Sequence, residues 1–192
     1  MSQENVEVKG GVRIPLPLLT KSASERRTLD EHLFVRVPAL YRLAARGLSR
    51  LSPGSRVRRV LLTRTIRRGY AAGSRRDFEF LLEGLDPGLE FRATGGLWAV
   101  DLDDVLYGRD GYREAWERTL DAFDDLRLVP EEVLDFGDNL LVTVRYAGHG
   151  SGSGVPVSQQ VFQLLETQEG LVTKIEDFND RDEALKAVGL SE

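Results

Sequence analysis

The stretch from Asp138 to Asp177 constrains the fold of this chain most. Three runs rich in β-branched residues, Leu140–Tyr146, Val155–Glu166 and Leu171–Asp177, follow one another with glycine breaks between them. Such runs read as consecutive strands joined by turns. An antiparallel sheet with one wet face should alternate cleanly between apolar and polar residues. Here both faces carry apolar side chains. Leu140, Val142, Val144 and Tyr146 share one side, with Leu141 and Thr143 opposite. Along the next run, Val157, Val161 and Leu165 stand against Phe162 and Leu164. Both faces are therefore expected to be covered, one by helices and the other by a second subunit packed sheet to sheet about a two-fold axis. The N-terminal helices are the competing cover.

The rest of the chain supplies those helices. Leu29–Val37 and Ala39–Leu51 read as two helical pieces, because Pro38 suits a first helical turn and disfavours helix at Val37. The second piece sets Leu40, Leu43, Ala44, Leu48 and Leu51 on one face and Arg42, Arg46 and Arg50 on another. Ser52-Pro-Gly-Ser55 is a turn, and we place a boundary there. A tail and basic helical extension would occupy residues 1–55 and the main domain 56–192. The tail holds either a short hairpin or no fixed element. Beyond the boundary, a helix over 56–74 gathers Val57, Val60, Leu61, Thr65 or Ile66, and Tyr70. A short helix over 77–85, a strand over 89–93 and an irregular acidic segment follow. Residues 111–126 give the clearest helix, with Tyr112, Ala115, Trp116, Thr119, Leu120 and Phe123 on one face. Pro130 marks the 128–136 strand as an edge or bulged one. A last helix over 182–188 ends at Gly189. Helices set apart from a mainly antiparallel sheet define the α+β class.

Residue usage excludes several chemistries. There is no cysteine, so disulfides, thiolate catalysis and the usual structural zinc sites are absent. With only two histidines, His32 and His149, no metal site is expected. No run of about 18 apolar residues can span a membrane. The N-terminus lacks the charged and apolar regions of a secretory signal, which points to the cytoplasm. The glycine-rich loop after His149 lacks the lysine and following helix of a phosphate loop. It is expected as a hairpin loop near a pocket mouth, with His149 exposed. Asp101-Leu-Asp-Asp104 lacks the spacing of a calcium loop.

Charge is divided along the chain. Residues 21–76 carry 15 basic and 3 acidic residues, whereas 77–192 carry 9 and 26. Either the basic arm folds over an acidic surface, its own or a second subunit's, or it meets an anionic partner. Nucleic acid is disfavoured because the acidic remainder repels phosphate. Peripheral membrane contact through residues 38–51 is weakened by the lack of tryptophan there.

Four pieces, Gly69–Asp77, Leu85–Phe91, Gly108–Trp116 and Gly170–Asp177, make residues 57–190 resemble the nuclear transport factor 2-like superfamily, in its SnoaL-like, polyketide cyclase-like branch. The arginine-rich preface is similar to that of some bacterial relatives. The resemblance implies a cone of helices packed into a strongly curved sheet, usually dimeric. It also implies cofactor-independent chemistry (polyketide cyclisation, isomerisation, epoxide hydrolysis, dehydration) or plain ligand binding. In SnoaL-type cyclases an Asp on the final strand acts as acid, and Asp177 matches it. A His one strand earlier matches Gln163. The general base of ketosteroid isomerase-like relatives falls near Arg92 or Ala93, and their first-helix Tyr at Gly69, one short of Tyr70.

The candidate site therefore comprises Asp177 and Gln163 as catalytic residues. Arg145, Tyr107, Trp98, Trp116 and Tyr146 would contact a small apolar ligand bearing a few oxygens. A carboxyl in an apolar pocket can serve as a general acid. The alternative is that Asp177 caps the turn at Asn179-Asp180 or faces solvent, while Arg145 simply pairs with a carboxylate. No cofactor is expected. A homodimeric, non-catalytic module docking through its basic helices is the competing function. A cavity below ~300 Å³, or one filled with side chains, would weaken the ligand reading.

Overall fold

The computed structural model describes residues 10–16, 26–93 and 105–189. Its elements run β1 (Val12–Pro15), α1 (Leu29–Arg36), α2 (Pro38–Ser49), α3 (Arg56–Ser74), α4 (Phe78–Glu83), β2 (Leu85–Ala93) and β3 (Leu106–Tyr107). They continue with α5 (Gly108–Asp121), β4 (Arg127–Asp135), β5 (Asn139–His149), β6 (Pro156–Gln168), β7 (Leu171–Phe178) and α6 (Arg181–Ala187). The seven strands form one sheet in the order β1-β4-β5-β6-β7-β2-β3. Every pairing is antiparallel except β2 with β7.

Local sequence explains most of the boundaries. Pro38 occupies the first turn of α2 and Val37 caps α1, so the chain kinks between them as expected. Asp77 caps α4 by accepting from the Phe80 amide, and Asp180 caps α6 from the amides of Asp182 and Glu183. Gly189 ends the last helix at φ 82°. Register shifts at Pro130/Glu132 on β4, Glu166/Thr167 between β6 and β7, and Leu85/Glu90 on β2 bend the sheet into an open cone. Pro130 is thus at a bulge. α5 stops at Asp121, short of Phe123, which forms an isolated bridge to Gly150.

The concave face holds the main core. Tyr112, Ala115, Trp116 and Leu120 of α5 and Leu62 and Ile66 of α3 pack against Leu140, Val142, Val144, Val161, Leu165 and Ile175. The convex face has its own smaller cluster, where Leu134, Leu141, Phe162, Leu164 and Phe178 lie with Ala184 of α6. Within the chain, the C-terminal helix covers part of this second face, a cover that the sequence pattern had not pointed to.

Two helical faces are turned differently from the expectation. On α2 the inward side is Tyr41, Ala45 and Leu48, while Leu40 and Leu43 are exposed. The cause is a close approach to the β6–β7 turn. A Cβ at Gly170 (φ +83°) would overlap the Ala45 carbonyl, so only the small-residue side of α2 fits. Arg46 completes the contact with an ion pair to Glu169 at 2.7 Å. On α3 the inward side is Arg58, Leu62, Ile66 and Gly73, while Val57, Val60 and Leu61 face out. Arg58 sets that rotation. Its guanidinium is buried and donates to both oxygens of buried Asp135 (2.7 and 2.8 Å), to the carbonyls of Leu48 (3.2 Å) and Leu51 (3.1 Å), and to Gly137 (2.6 Å).

The basic arm does fold in part onto acids of its own chain. Arg75 reaches Glu31 at 2.8 Å and Asp77 at 3.0 Å, and Arg27 and Arg68 hold Asp77 and Asp30.

Replacing Arg58 with Met should cost about 3 kcal/mol or more of stability, because Asp135 is left buried and unpaired. The double change Arg58→Met/Asp135→Leu should recover much of that loss. Urea melts of the three proteins test this, and a double variant no better than the single one would contradict the interpretation.

Candidate functional site

Helices α2, α3 and α4 roof the wide end of the cone, and beneath them lies a cavity of about 140 Å³. Its wall is mainly apolar: Leu48, Leu62, Ile66, Phe80, Leu140, Val172 and Ile175 are typical. Each comes from an inward position of a helix or strand, so the cavity is the space that α3 and the sheet fail to fill. Part of that space exists because α3 carries Gly69. A Cβ there would meet nothing within 4 Å.

Several polar side chains interrupt that wall, among them Arg58, Thr65 and Thr167, and one group of them is bonded together. The Tyr70 hydroxyl donates to Gln163 Oε1 at 2.6 Å. Gln163 Nε2 donates to Asp177 Oδ1 at 2.7 Å and to the Tyr146 hydroxyl at 3.1 Å. Gln163 is directly opposite Asp177 in the β6–β7 register, which fixes that pair. Tyr70, Gln163, Tyr112 and Trp116 line the cavity, whereas Asp177 and Tyr146 stand behind them and are fully buried. Trp116 lies between two tyrosine rings, 6.3 Å from Tyr112 and 6.1 Å from Tyr146.

Asp177, Gln163, Trp116 and Tyr146 are thus brought together. Asp177 neither faces solvent nor caps the next turn, a role that falls to Asp180. Two other candidates are not part of the group. Arg145 points to the convex face of β5, half exposed, and pairs with Glu131 at 2.7 Å, because odd positions of that strand face away from the cone. Tyr107 is exposed on the two-residue edge strand β3. Trp98 and the Asp101–Asp104 segment lie outside the described residues. The glycine-rich hairpin is also away from the cavity. It packs on the end of α5, where Ser151 N–H donates to the Ala122 carbonyl at 2.9 Å, and exposed His149 sits 3.1 Å from Asp125. Among the described residues no cluster of His, Asp and Glu can hold a metal, and no helix is long and apolar enough to cross a membrane.

Tyr70 and Tyr112 are the site residues that pattern reading assigned only to packing. A usable signal existed. A tyrosine on a buried helix face needs a partner for its hydroxyl, and a glutamine on an inward strand face needs several.

Burial dominates the electrostatics. It pushes the Tyr70, Tyr112 and Tyr146 phenols well above the ordinary tyrosine range, and the neighbouring Asp177 charge pushes the same way. Tyr41, in the roof, is raised to about 12 by burial and then by Glu83. All four are neutral donors at neutral pH. They hold their protons more tightly folded than unfolded, where tyrosine titrates near ~10. The stabilisation is therefore whole below about pH 10 and is lost as pH rises through the folded values. In an alkaline titration, phenolate absorbance from these four should emerge together with loss of the far-UV circular dichroism. Gradual ionisation of all four before any unfolding would contradict this.

Comparison with known proteins agrees with this architecture. The family profile described as "SnoaL-like domain" matches residues 66–175. No curated protein matches the chain. Among solved structures, TerC co-crystallised with polyporic acid shares 24% identity over 66% of this chain and 95% of its own, with a TM-score of 0.54. A protein of unknown function from Burkholderia pseudomallei, described as NTF2-like, shares 22% over 66% and 94%, with a TM-score of 0.53. Bal32a, from a soil-derived mobile gene cassette, shares 20% over 60% and 86%, with a TM-score of 0.52. At these identities the likeness is one of fold.

Proposed function

This chain belongs to the SnoaL-like family, within the nuclear transport factor 2-like superfamily, and from that premise we propose that its cavity binds a small apolar molecule carrying one oxygen. The observation that carries this reading is a mainly apolar wall interrupted by a few polar side chains, of which Tyr70 and Gln163 form one bonded group and Arg58, Thr65 and Thr167 stand apart from it. That is the usual make-up of a small-molecule site, where a few polar groups fix orientation. The volume sets the size. About 140 Å³ is below the range for drug-sized ligands and close to that of a dry cavity that takes up benzene. The ligand is therefore about one ring in size, smaller than the pocket expected from sequence would have held.

Two features define the chemistry. Tyr112 lines the cavity as a neutral phenol and can donate to a ligand oxygen. Tyr70 spends its proton on Gln163 and offers the ligand its lone pairs. Asp177 acts one residue removed. Gln163 stands between it and the cavity, and a carboxamide carries no titratable proton. Asp177 is thus a positioning residue that holds the Gln163 amide, and through it Tyr70, in one orientation. The reaction class such a wall supports is cofactor-independent isomerisation or cyclisation driven by polarising a ligand oxygen.

Calorimetric titration with benzene, phenol and cyclohexanone tests the reading. Phenol or cyclohexanone should bind about tenfold more tightly than benzene, the worth of one buried hydrogen bond. Gly69→Leu should place a side chain in the cavity, abolish binding and leave the fold intact or slightly more stable, since a mid-helix glycine costs ~1 kcal/mol. Tyr70→Phe and Asp177→Asn should each weaken binding of phenol, whose hydroxyl needs an acceptor, while leaving benzene unaffected. Binding of none of the three compounds, or full binding by Gly69→Leu, would remove the cavity from consideration.

A further inference from the structure

Of the large apolar side chains that the described residues leave exposed, most lie between 29 and 61. The best placed are Leu40 and Leu43 on α2 and Val57, Val60 and Leu61 on α3, with Leu43 at 67% and Val60 at 66% exposure. Their arrangement follows from the roof. α2 and α3 both turn their other faces, Ala45 and Leu48 on one and Leu62 and Ile66 on the other, onto the same cavity. Arg58 of α3 bonds the carbonyls of Leu48 and Leu51 and keeps the helices side by side. Their outward stripes therefore look away from the sheet together.

The charge on this layer has one sign. Arg42 and Arg50 on α2, and Arg56 and Arg59 on α3, are exposed and form no ion pair among the described residues. The only acids between residues 26 and 76, Asp30 and Glu31, are held by Arg68 and Arg75. Glu169, the acid that the β6–β7 turn brings up to α2, is taken by Arg46. The acidic excess of the chain belongs to residues 77–192, on other elements.

We infer that this outer face of α2 and α3 docks on an anionic lipid bilayer. Leucine and valine stripes flanked by arginine suit an interface that is apolar within and negative at its surface. A second copy does not suit it. A two-fold contact would set the same unpaired arginines against themselves. A protein partner would need an apolar centre within an acidic rim matched to this face, whereas any anionic bilayer presents both. The inference stands apart from the cavity reading, because it uses only residues on the opposite side of these helices.

Co-sedimentation of the full chain with vesicles tests it, using phosphatidylcholine alone and an equal mixture with phosphatidylglycerol. The chain should pellet with the mixed vesicles only, and less so at high salt. Arg42→Ala/Arg50→Ala should weaken binding about thirtyfold, by the usual contribution of two interfacial arginines. Leu43→Asp and Val60→Asp should each abolish it, while Val155→Asp, an equally exposed site on the β5–β6 loop, should leave it unchanged. Circular dichroism confirms that each variant is folded. No pelleting with mixed vesicles, equal pelleting with both kinds, or equal loss in Val155→Asp would overturn the inference. So would a dimer in light scattering that Leu43→Asp dissociates, or retention on polyglutamate without vesicle binding.

Discussion

The arrangement rests on the buried contact between Arg58 and Asp135. One guanidinium joins four pieces of chain: α3, which carries it; β4, which carries the carboxylate; the β4–β5 turn at Gly137; and the last carbonyls of α2. Burying both ions is costly unless every proton and lone pair finds a partner, and here the donors are distributed among a carboxylate and several carbonyls. The consequence is a fixed rotation of α3 and a fixed landing point for α2. The cavity beneath them exists because these helices are held at that height and are lined there by Ala45 and Gly69.

The same constraint divides the surfaces. Once Arg58, Leu62 and Ile66 face in, Val60 faces directly out, and Val57 and Leu61 fall on the exposed flank beside it, because each residue turns the helix by about 100°. Once Ala45 must meet Gly170, Leu40 and Leu43 are turned away. The helices that roof the cavity thus carry aliphatic side chains on both sides, Leu48, Leu62 and Ile66 inward and Leu40, Leu43, Val57 and Val60 outward. The site below and the exposed face above are two results of one packing decision.

Behind the cavity wall, Gln163 has a comparable role on a smaller scale. Its carboxamide donates twice and accepts once, joining α3, β5, β6 and β7 through Tyr70, Tyr146 and Asp177. A histidine in its place could carry a proton from the carboxyl to the cavity; a glutamine can only orient. Around it stand phenols that burial keeps protonated.

Local signals in the sequence made the four C-terminal strands, most helix ends and the inward face of the sheet readable, but not β3 or the first half of β2. Period-2 alternation, proline and the capping residues act over a few residues, so they can be read without knowing what lies across the core. That is why the kink at Pro38, the bulge at Pro130 and the faces bearing Gln163 and Trp116 were legible, whereas Asp177 stayed open between pocket and turn, and Arg145 was misplaced although it has the opposite parity on β5. Only the tertiary structure decided the rotation of α2 and α3, the cover of the convex face by α6, the distance of Asp177 from the cavity and the cavity's small volume. Each depends on contacts between residues tens of positions apart, such as Arg58 with Asp135, Ala45 with Gly170 and Tyr70 with Gln163. An amphipathic pattern says that a helix has an apolar side; which side is buried is settled by the partner it must approach.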